Sequence, residues 1–238
     1  FWLKPQTYCA VSMAAAAAID DARRAWSEAP AELCRLPGDC DGLSILGKAV
    51  MESWEAPYMA ELARVACAQG GRVLEVGFGL GLSAAYVDAF DGVEEHVILE
   101  ANDEVLGRAA LWADGARRPT TVMGGFWQEL VDDFEAGSFD GVLFDVFPLD
   151  EEEAAGDGEV GAFFNQAARL LRPGGTFAFY YDAGRNWFEC VQSFRQETIP
   201  KLLDAGFSDV TEDQVLCRPR EDCPYFWKDR FLVPRAVR

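Results

Sequence analysis

A short apolar stretch that runs into three closely spaced glycines constrains the fold of this chain more than any other feature. Residues 72–77 read Arg-Val-Leu-Glu-Val-Gly and predict a buried strand, and Gly79 and Gly81 follow at two-residue intervals. Glycines at such positions permit a tight turn and a close approach of the backbone to a ligand. A helix is predicted to begin near Leu82, and its first amides have no partner within the helix. We therefore expect a strand–turn–helix unit that binds a small molecule.

From about residue 44 onward, predicted strands and helices alternate along the chain. Such alternation is typical of a parallel sheet with helices on both faces, in which ligands bind beyond the carboxyl ends of the strands. The predicted strands lie at residues 72–77, 96–100, 120–123, 139–145 and 176–181, the helices at 82–90, 103–113, 162–171 and 188–205, and two closing antiparallel strands at 210–217 and 225–233. The expected fold is α/β and Rossmann-like, with a central, mostly parallel seven-stranded sheet and a C-terminal antiparallel hairpin.

The first part of the chain and one internal loop depart from this alternation. Residues 1–42 are Ala-rich and predict short helical pieces that prolines interrupt. Residues 48–67 carry apolar side chains at helical spacing, and Pro57 among them predicts a kinked or two-part helix. A run of acids at residues 150–153 precedes two glycines and predicts a flexible loop or lid.

The charge balance narrows the class of partner. Asp and Glu number 40 against 21 Lys and Arg, which gives a net charge of −19. Such a surplus repels nucleic acid and anionic membranes and attracts cationic small molecules. The longest run of small apolar residues, 13–19, is far shorter than the ~20 residues of a membrane span. We expect no nucleic-acid or membrane partner, no signal peptide, and a cytoplasmic protein that is a monomer or a weak dimer.

Cysteine and histidine usage favours no metal site. The seven Cys are scattered without a Cys-x-x-Cys pair, and His96 is the sole histidine. These residues support neither a zinc site nor a disulfide framework, and they suit a reducing compartment. We interpret His96 as a satisfied strand residue without a catalytic role, and we expect no bound metal.

Acidic residues at the ends of the predicted strands indicate the kind of ligand. Glu100 ends the second strand of the alternating region, where a carboxylate can accept two hydrogen bonds from a ribose diol. Together with Glu75 and Asp145 it favours a cofactor with a positive sulfonium and ammonium over the pyrophosphate of NAD. The glycine spacing is Gly-x-Gly-x-Gly, and not the Gly-x-Gly-x-x-Gly of dinucleotide sites. An NAD oxidoreductase and a glycine turn without a ligand are the alternatives.

The glycine turn between acid-bearing strands resembles that of class I S-adenosyl-L-methionine-dependent methyltransferases. A more specific resemblance, to the guanidinoacetate N-methyltransferase family, lies in residues 46–59, which end in Trp-Glu-Ala-Pro-Tyr-Met. Residues 25–30 resemble that family's N-terminal lid. Further matching stretches lie at 77–79, 100–103, 125–127, 139–149, 170–175 and 219–225, so the resemblance covers about residues 25–238.

The resemblance implies a class I methyltransferase fold, with a lid segment at residues 1–43 and a methyltransferase domain at residues 44–238. The implied cofactor is S-adenosyl-L-methionine, with S-adenosyl-L-homocysteine as product. Cofactor-binding roles fall on Trp26, Met51, Met59, Phe78, Gly79, Leu80, Gly81, Leu82, Ser83, Glu100, Ala101, Asn102, Gly125, Phe126 and Asp145. Roles in binding a small guanidino substrate fall on Trp26, Met51, Glu55, Asp145, Asp182 and Ala183. The implied catalytic residues are Asp145 and Glu55.

Glu55 and Asp145 suit the chemistry that this resemblance implies. A guanidinium is planar and carries a fork of N–H donors, which two carboxylates can hold from two sides. Its pKa above ~12 makes its nitrogens poor nucleophiles while they are protonated. A carboxylate beside the attacking nitrogen can accept the proton as the N–C bond forms. We interpret Asp145 as this proton acceptor and Glu55 as the second clamp.

One loop departs from the family pattern. In the guanidinoacetate enzymes an Asn-Leu-Thr-Ser stretch receives the substrate carboxylate on its amides, whereas residues 181–186 here read Tyr-Asp-Ala-Gly-Arg-Asn. Asp182 would repel a carboxylate and Arg185 could bind one. The stretch also resembles protein-arginine δ-N-methyltransferases, which act on a longer arm with the same head group. The expected reaction is guanidinoacetate to creatine, as in creatine biosynthesis. Methylation of free or protein arginine and a catalytically silent cofactor-binding module are the alternatives.

Overall fold

The fold is described from a computed structural model, over residues 18–149 and 158–238. The helical pieces predicted before residue 18, most of the apolar run at 13–19 and the acidic loop at 150–153 lie outside these residues. Helix α1 covers residues 18–28. Within the described part of the chain, no helix is both long and apolar enough to cross a membrane.

A three-stranded antiparallel sheet follows α1. Its strands are β1 (Ala31–Leu36), β2 (Cys40–Ile45) and β3 (Lys48–Glu52), paired in that order. The helical prediction is therefore wrong for residues 31–42 and 48–52. The β2–β3 connection is a two-residue turn, with Leu46 at φ +53° and Gly47 at φ +71°. Two left-handed residues suit a tight hairpin, but a leucine in the first position departs from the Asn-Gly or Asp-Gly pattern that predicts one.

Helix α2 (Ala56–Ala66) begins later than the helix predicted over residues 48–67. A 3-10 turn, Ser53–Glu55, separates it from β3, and another, Cys67–Gln69, follows it. Pro57 lies in the first turn of α2. Proline is tolerated there because the first amides of a helix lack an intrahelical partner. Pro57 therefore marks the start of the helix, and the predicted kink is wrong.

The central sheet has seven strands and confirms the predicted α/β, Rossmann-like architecture. These are β4 (Gly71–Val76), β5 (Val93–Glu100), β6 (Thr120–Gly124), β7 (Phe139–Phe144), β8 (Leu171–Phe179), β9 (Asp209–Leu216) and β10 (Arg230–Val237), in the order β6-β5-β4-β7-β8-β10-β9. The first five of these strands pair parallel, and β10 pairs antiparallel with β8 and β9. The last strand begins at Arg230 and not, as predicted, at Tyr225. The rings of Tyr225 and Phe226 lie against the Trp54 ring instead, at 6.0 and 5.6 Å.

Helices connect the strands, and all of them except α5 fall on predicted helices. They are α3 (Leu82–Ala89), α4 (Asp103–Ala113), α5 (Trp127–Leu130), α6 (Gly158–Leu170), α7 (Trp187–Ser193) and α8 (Ile199–Ala205). A π-helical segment, Phe194–Thr198, joins α7 to α8. The helix predicted over residues 188–205 is therefore continuous but irregular.

Two apolar layers cover the two faces of the central sheet. Val73 and Leu143 lie in the layer that α2 completes. Their chain neighbours Leu74 and Val142 lie in the other layer, with residues of α6 and α7. Successive strand residues alternate between the layers, as the two-residue period of a strand requires. With both faces covered, a ligand is received at the carboxyl ends of the parallel strands.

Candidate active site

A cavity of about 500 Å³ lies at the carboxyl ends of β4, β5 and β7. This volume is within the range of small-molecule sites. Residues of the strand ends, of α1, of the N-terminal sheet and of the loops after β6, β7 and β8 line the cavity. The lining includes ten of the predicted site residues, namely Trp26, Met51, Glu55, Gly79, Glu100, Ala101, Gly125, Phe126, Asp145 and Asp182.

The glycine turn after β4 forms a bare backbone wall of this cavity. Gly77 has φ +92°, and a Cβ atom there would lie 2.0 Å from the Asp145 carbonyl oxygen. Gly79 has φ +54°, and a Cβ there would lie 3.0 Å from the Met51 sulfur. No side chain fits at Gly77, and one at Gly79 would displace Met51. The turn is therefore shaped to bring a ligand against main-chain atoms, as a nucleoside-binding turn requires.

Glu100 lies at the end of β5 and presents a buried carboxylate to the cavity. Its oxygens accept hydrogen bonds from the amides of Phe78, at 2.9 Å, and Asn102, at 2.8 Å. Burial raises the pKa of Glu100, and these backbone hydrogen bonds oppose the rise. Each carboxylate oxygen can accept more than one hydrogen bond. Glu100 is thus oriented by the chain and can still accept bonds from a diol.

Trp26 closes one side of the cavity from the end of α1. Its ring stacks on the Phe147 ring, with centroids 5.3 Å apart and planes 10° apart. The side-chain amide of Asn102 donates to the carbonyl oxygens of Trp26 and Ala29, both at 2.8 Å. Asn102 does not line the cavity. Asn102 thus ties the end of α1 and Ala29 to the loop after β5, and its Oδ1 accepts from the amide of Val105 at the start of α4.

Glu55 is a buried carboxylate in the 3-10 turn before α2, and it lines the cavity. Its Oε1 accepts hydrogen bonds from the Glu52 amide and the Tyr225 hydroxyl, both at 2.8 Å. Burial raises the pKa of Glu55 to about 8. The negative charge of Asp145 also raises the pKa of Glu55, whereas the two hydrogen bonds lower it.

Asp145 directly follows β7 and also lines the cavity. Its amide donates to the Val76 carbonyl at 2.9 Å, which fixes the end of β7 against the end of β4. Burial raises the pKa of Asp145 to about 7, and the negative charge of Glu75 adds to the rise. A cation bound between Glu55 and Asp145 would relieve the cost of keeping both carboxylates charged.

A second buried acid holds the segment that carries Glu55. Both oxygens of Glu52 accept from the Arg220 guanidinium, at 2.8 and 3.0 Å, and Trp54 Nε1 donates to the same carboxylate at 2.8 Å. No role was predicted for Glu52 or Arg220. The available signals were the Glu-x-x-Glu spacing of Glu52 and Glu55 and the position of Arg220 in the matching stretch 219–225.

Asp182, in the loop after β8, lines the cavity and forms an ion pair with Lys228. Lys228 is itself buried and also donates to the Gly184 carbonyl oxygen at 3.3 Å. Burial raises the pKa of Asp182, and Lys228 opposes the rise. Arg185, expected to be able to bind a carboxylate, does not line the cavity, and its amide donates to Glu189 Oε2 at 2.8 Å.

Eight of the predicted site residues do not line the cavity, namely Met59, Phe78, Leu80, Gly81, Leu82, Ser83, Asn102 and Ala183. Met59 is fully buried in the apolar layer of α2. Ser83 Oγ donates to the buried carboxylate of Glu75. Conversely, Leu43 and Ile45 of β2 line the cavity. Sequence reasoning missed them because the strand that carries them was not predicted.

His96 lies apart from the cavity. It is fully buried in β5, and its Nε2 is 2.8 Å from Glu75 Oε2. The two atoms are close, but neither imidazole nitrogen of His96 nor this Glu75 oxygen forms a hydrogen bond to any residue that the structure describes, so the prediction of a satisfied histidine is not confirmed. Over residues 18–149 and 158–238, no three Cys, His, Asp or Glu side chains are grouped so as to hold a metal ion.

Comparison with known proteins identifies relatives along most of the chain. The family model described as guanidinoacetate N-methyltransferase matches residues 15–238. A protein arginine N-methyltransferase 2 of Aspergillus oryzae is 29% identical over 170 residues, which are 70% of this chain and 39% of that protein. Its counterpart from Yarrowia lipolytica is 27% identical over 177 residues, which are 70% of this chain and 35% of that protein. The chain thus spans less than half the length of these curated relatives.

Solved structures share the fold at low sequence identity. A spermidine synthase from Thermotoga maritima superposes with a TM-score of 0.64 at 16% identity, over 88% of this chain and 69% of that one. A possible histamine N-methyltransferase from the same organism gives a TM-score of 0.51 at 17% identity, over 77% and 90% of the two chains. These likenesses place the chain in the class I methyltransferase fold.

Proposed function

Because this chain belongs to the guanidinoacetate N-methyltransferase family, we propose that it methylates a nitrogen of a guanidino group with S-adenosylmethionine as donor. The observation that carries the proposal is the pair of Glu55 and Asp145, two carboxylates that line one cavity. None of the described residues that line this cavity is Lys, Arg or His. A site with this charge favours a cationic guest, and the fork of a guanidinium matches two carboxylates.

The cavity also fits the donor. The turn at Gly77 and Gly79 offers bare main chain, and Glu100 offers a carboxylate for ribose hydroxyls. When bound, S-adenosylmethionine supplies a methyl group on a positively charged sulfur and leaves as S-adenosylhomocysteine. The negative charge of Asp145 and Glu100 favours that positive charge. Phe126 and Trp26 add apolar surface to the lining.

The two carboxylates have separate tasks in this proposal. Glu55, held by the Glu52 amide and the Tyr225 hydroxyl, fixes the orientation of the guanidino group. Asp145 receives the proton that the attacking nitrogen releases when its new N–C bond replaces the S–C bond of the donor. Alignment of the reacting atoms contributes most of the rate of such a displacement. The two hydrogen bonds that fix Glu55 therefore favour turnover, because they keep the guanidino group aligned with the donor.

The first 43 residues act as a lid in this proposal. Two contacts join this segment and β3 to the loop after β7. Trp26 stacks on Phe147, and Lys48 Nζ donates to the Leu149 carbonyl oxygen at 3.1 Å. The limit at residue 43 falls inside β2, so the small sheet continues into the segment assigned to the methyltransferase domain.

Two acceptors are candidates. Guanidinoacetate, with creatine as product, is the acceptor after which the family is described. Arginine, free or within a protein, is favoured by the curated relatives, which carry the name protein arginine N-methyltransferase 2. The net charge of −19 supports a cationic acceptor and argues against nucleic acid. A monomer or weak dimer in the cytoplasm stays a prediction.

The test is a methylation assay with purified protein and isotopically labelled S-adenosylmethionine. Guanidinoacetate, free arginine, an arginine-containing peptide and a lysine-containing peptide serve as acceptors, and mass spectrometry locates the added methyl group. Transfer to a guanidino nitrogen and none to lysine is the expected result. Absence of transfer to every guanidino acceptor, under conditions where S-adenosylmethionine binds, would contradict the proposal.

A further inference from the structure

The charge of the whole cavity carries an inference about the rest of the acceptor. Four carboxylates line the cavity, those of Glu55, Glu100, Asp145 and Asp182, and no cationic side chain of the described lining balances them. Two of these acids, Glu55 and Asp145, are assigned to the guanidino group and one, Glu100, to the donor. Asp182 is therefore left to face the tail of the acceptor, which is the part of the molecule attached to the guanidino group.

The positive charge beside Asp182 already has partners within the protein. Lys228 pairs with the Asp182 carboxylate and donates a further hydrogen bond to the Gly184 carbonyl oxygen at 3.3 Å. Lys228 does not line the cavity, whereas Asp182 does. A ligand in the cavity therefore meets the acid of this pair and not the base.

Several backbone amides around Asp182 already donate hydrogen bonds within the protein. The Tyr180 amide donates to the Phe144 carbonyl oxygen at 2.9 Å, and the Tyr181 amide donates to the Tyr58 hydroxyl at 3.0 Å. The Ala183 backbone lies near the thiol of Cys190 and opposes the rise that burial causes in the pKa of this thiol. The Arg185 amide donates a hydrogen bond to the Glu189 carboxylate. A carboxylate on the acceptor would thus meet a like charge and find few donors, which is unfavourable in a partly buried site.

We propose that Asp182 is a specificity-determining residue, which rejects guanidino acceptors with a carboxylate near the guanidino group and admits acceptors with a neutral or cationic tail. This inference rests on the proposed function. Discrimination here comes from a repulsive element placed against one class of ligand. It predicts that a peptide arginine or a guanidinoalkylamine is methylated in preference to guanidinoacetate.

A matched pair of acceptors tests this proposal. Guanidinoacetate and guanidinoacetamide have nearly the same shape and differ by one negative charge. In the unaltered protein, kcat/KM is expected to be at least ~10-fold higher for the amide, because like charges brought together disfavour binding. Asp182→Asn removes the repulsion and leaves Lys228 without its partner. The ratio of the two kcat/KM values should then shift at least ~10-fold toward guanidinoacetate.

Two further variants make the result specific. Asp204→Asn removes one negative charge from an exposed residue of α8 and should leave the ratio unchanged, which separates a local effect from a change in net charge. Lys228→Gln keeps the acid and removes its partner, so the preference for the amide should increase. If Asp182→Asn does not fold, Lys228→Gln tests the proposal in its place.

The outcomes separate the two proposals. Lack of transfer to either compound, to agmatine and to an arginine peptide would remove the proposed function and this inference with it. Transfer that prefers guanidinoacetate in the unaltered protein would overturn the inference alone. The same holds for a ratio that neither Asp182→Asn nor Lys228→Gln changes.

Discussion

The hydroxyl of Tyr225 donates a 2.8 Å hydrogen bond to the carboxylate of Glu55, across 170 positions in the sequence. This bond joins the loop before β10 to the turn before α2. It holds one oxygen of a buried acid that otherwise has the Glu52 amide as its partner. The position of the proposed clamp therefore depends on a residue near the end of the chain.

Tyr225→Phe should weaken acceptor methylation without abolishing it. The change removes the hydroxyl and keeps the ring against Trp54. A hydrogen bond to a charged group contributes ~1.5–3 kcal/mol, so kcat/KM for the acceptor should fall about 10- to 100-fold. Binding of S-adenosylhomocysteine, measured by calorimetry, should change little. An unchanged kcat/KM would show that the Tyr225 hydroxyl does not position Glu55.

Glu55→Gln and Asp145→Asn should each reduce turnover at least ~10²-fold, the scale of losing a general base. Each change keeps the size of the side chain and removes its charge. Glu55→Gln should leave cofactor binding nearly unchanged, whereas Asp145→Asn should weaken it as well. Single-turnover methylation and calorimetry separate the two effects. The matched control is Glu197→Gln, at an exposed position. Full activity of Glu55→Gln on guanidinoacetate and arginine would refute the guanidino assignment.

The part of the central sheet that forms the site was predictable because β4, β5 and β7 are apolar runs that end in, or are directly followed by, a glycine or an acid. Parallel strands bring their carboxyl ends to one edge, so Glu100 and Asp145 were expected near the glycine turn, and all of them line one cavity. The strand limits differ by a few residues, most at the closing hairpin, where Tyr225 and Phe226 pack on Trp54.

The N-terminal sheet and the side chains that support Glu55 and Trp26 could not be predicted, because they depend on contacts between segments that are distant in sequence. Arg220 and Glu52 are 168 residues apart, and although each lies in a stretch that matches the family, the sequence does not indicate that the two pair. The β2–β3 hairpin has Leu46 in a left-handed position, which a sequence pattern does not favour. The family resemblance implied that Asn102 binds the cofactor, yet its side chain turns to the carbonyl oxygens of Trp26, in α1, and of Ala29.

The free energy of unfolding of the ligand-free protein should decrease as the pH rises from about 5 to 8. Folding raises the pKa of Glu55 from 4.5 to about 8 and that of Asp145 from 3.8 to about 7. The folded state then binds more protons than the unfolded chain between these values, and stability falls as the pH passes through them. Denaturant unfolding across this range measures the slope. Glu55→Gln should flatten it, and Glu197→Gln should not. An equal slope in all three proteins would contradict the burial of a protonated Glu55.

Glu100→Ala should weaken cofactor binding by ~1.5–3 kcal/mol, the scale for hydrogen bonds to a charged group. The carboxylate lines the cavity and is held by the amides of Phe78 and Asn102. S-adenosylhomocysteine should raise the melting temperature of the unaltered protein, and NAD should not. A larger rise with NAD would show that the donor is wrongly assigned.

Asn102→Asp should loosen the lid while preserving the start of α4. The aspartate keeps an oxygen that can accept from the amides of Glu104 and Val105, as Asn102 Oδ1 does. It loses the N–H donors that hold the carbonyl oxygens of Trp26 and Ala29 at 2.8 Å. In their place it sets a negative charge against two carbonyl oxygens, which is repulsive in a buried position. Limited proteolysis should therefore cut residues 20–40 faster in the variant.

Ligands should restore part of this protection, because Trp26 lines the cavity and would pack on whatever occupies it. In the unaltered protein, S-adenosylhomocysteine with a guanidino acceptor should slow cutting at residues 20–40. In Asn102→Asp the same ligands should slow it less, since closing the segment then lacks its hydrogen bonds to the loop after β5. Equal cutting of the unaltered protein with and without both ligands would show that the segment carrying Trp26 is a fixed part of the core. The prediction of a lid over residues 1–43 would then be wrong.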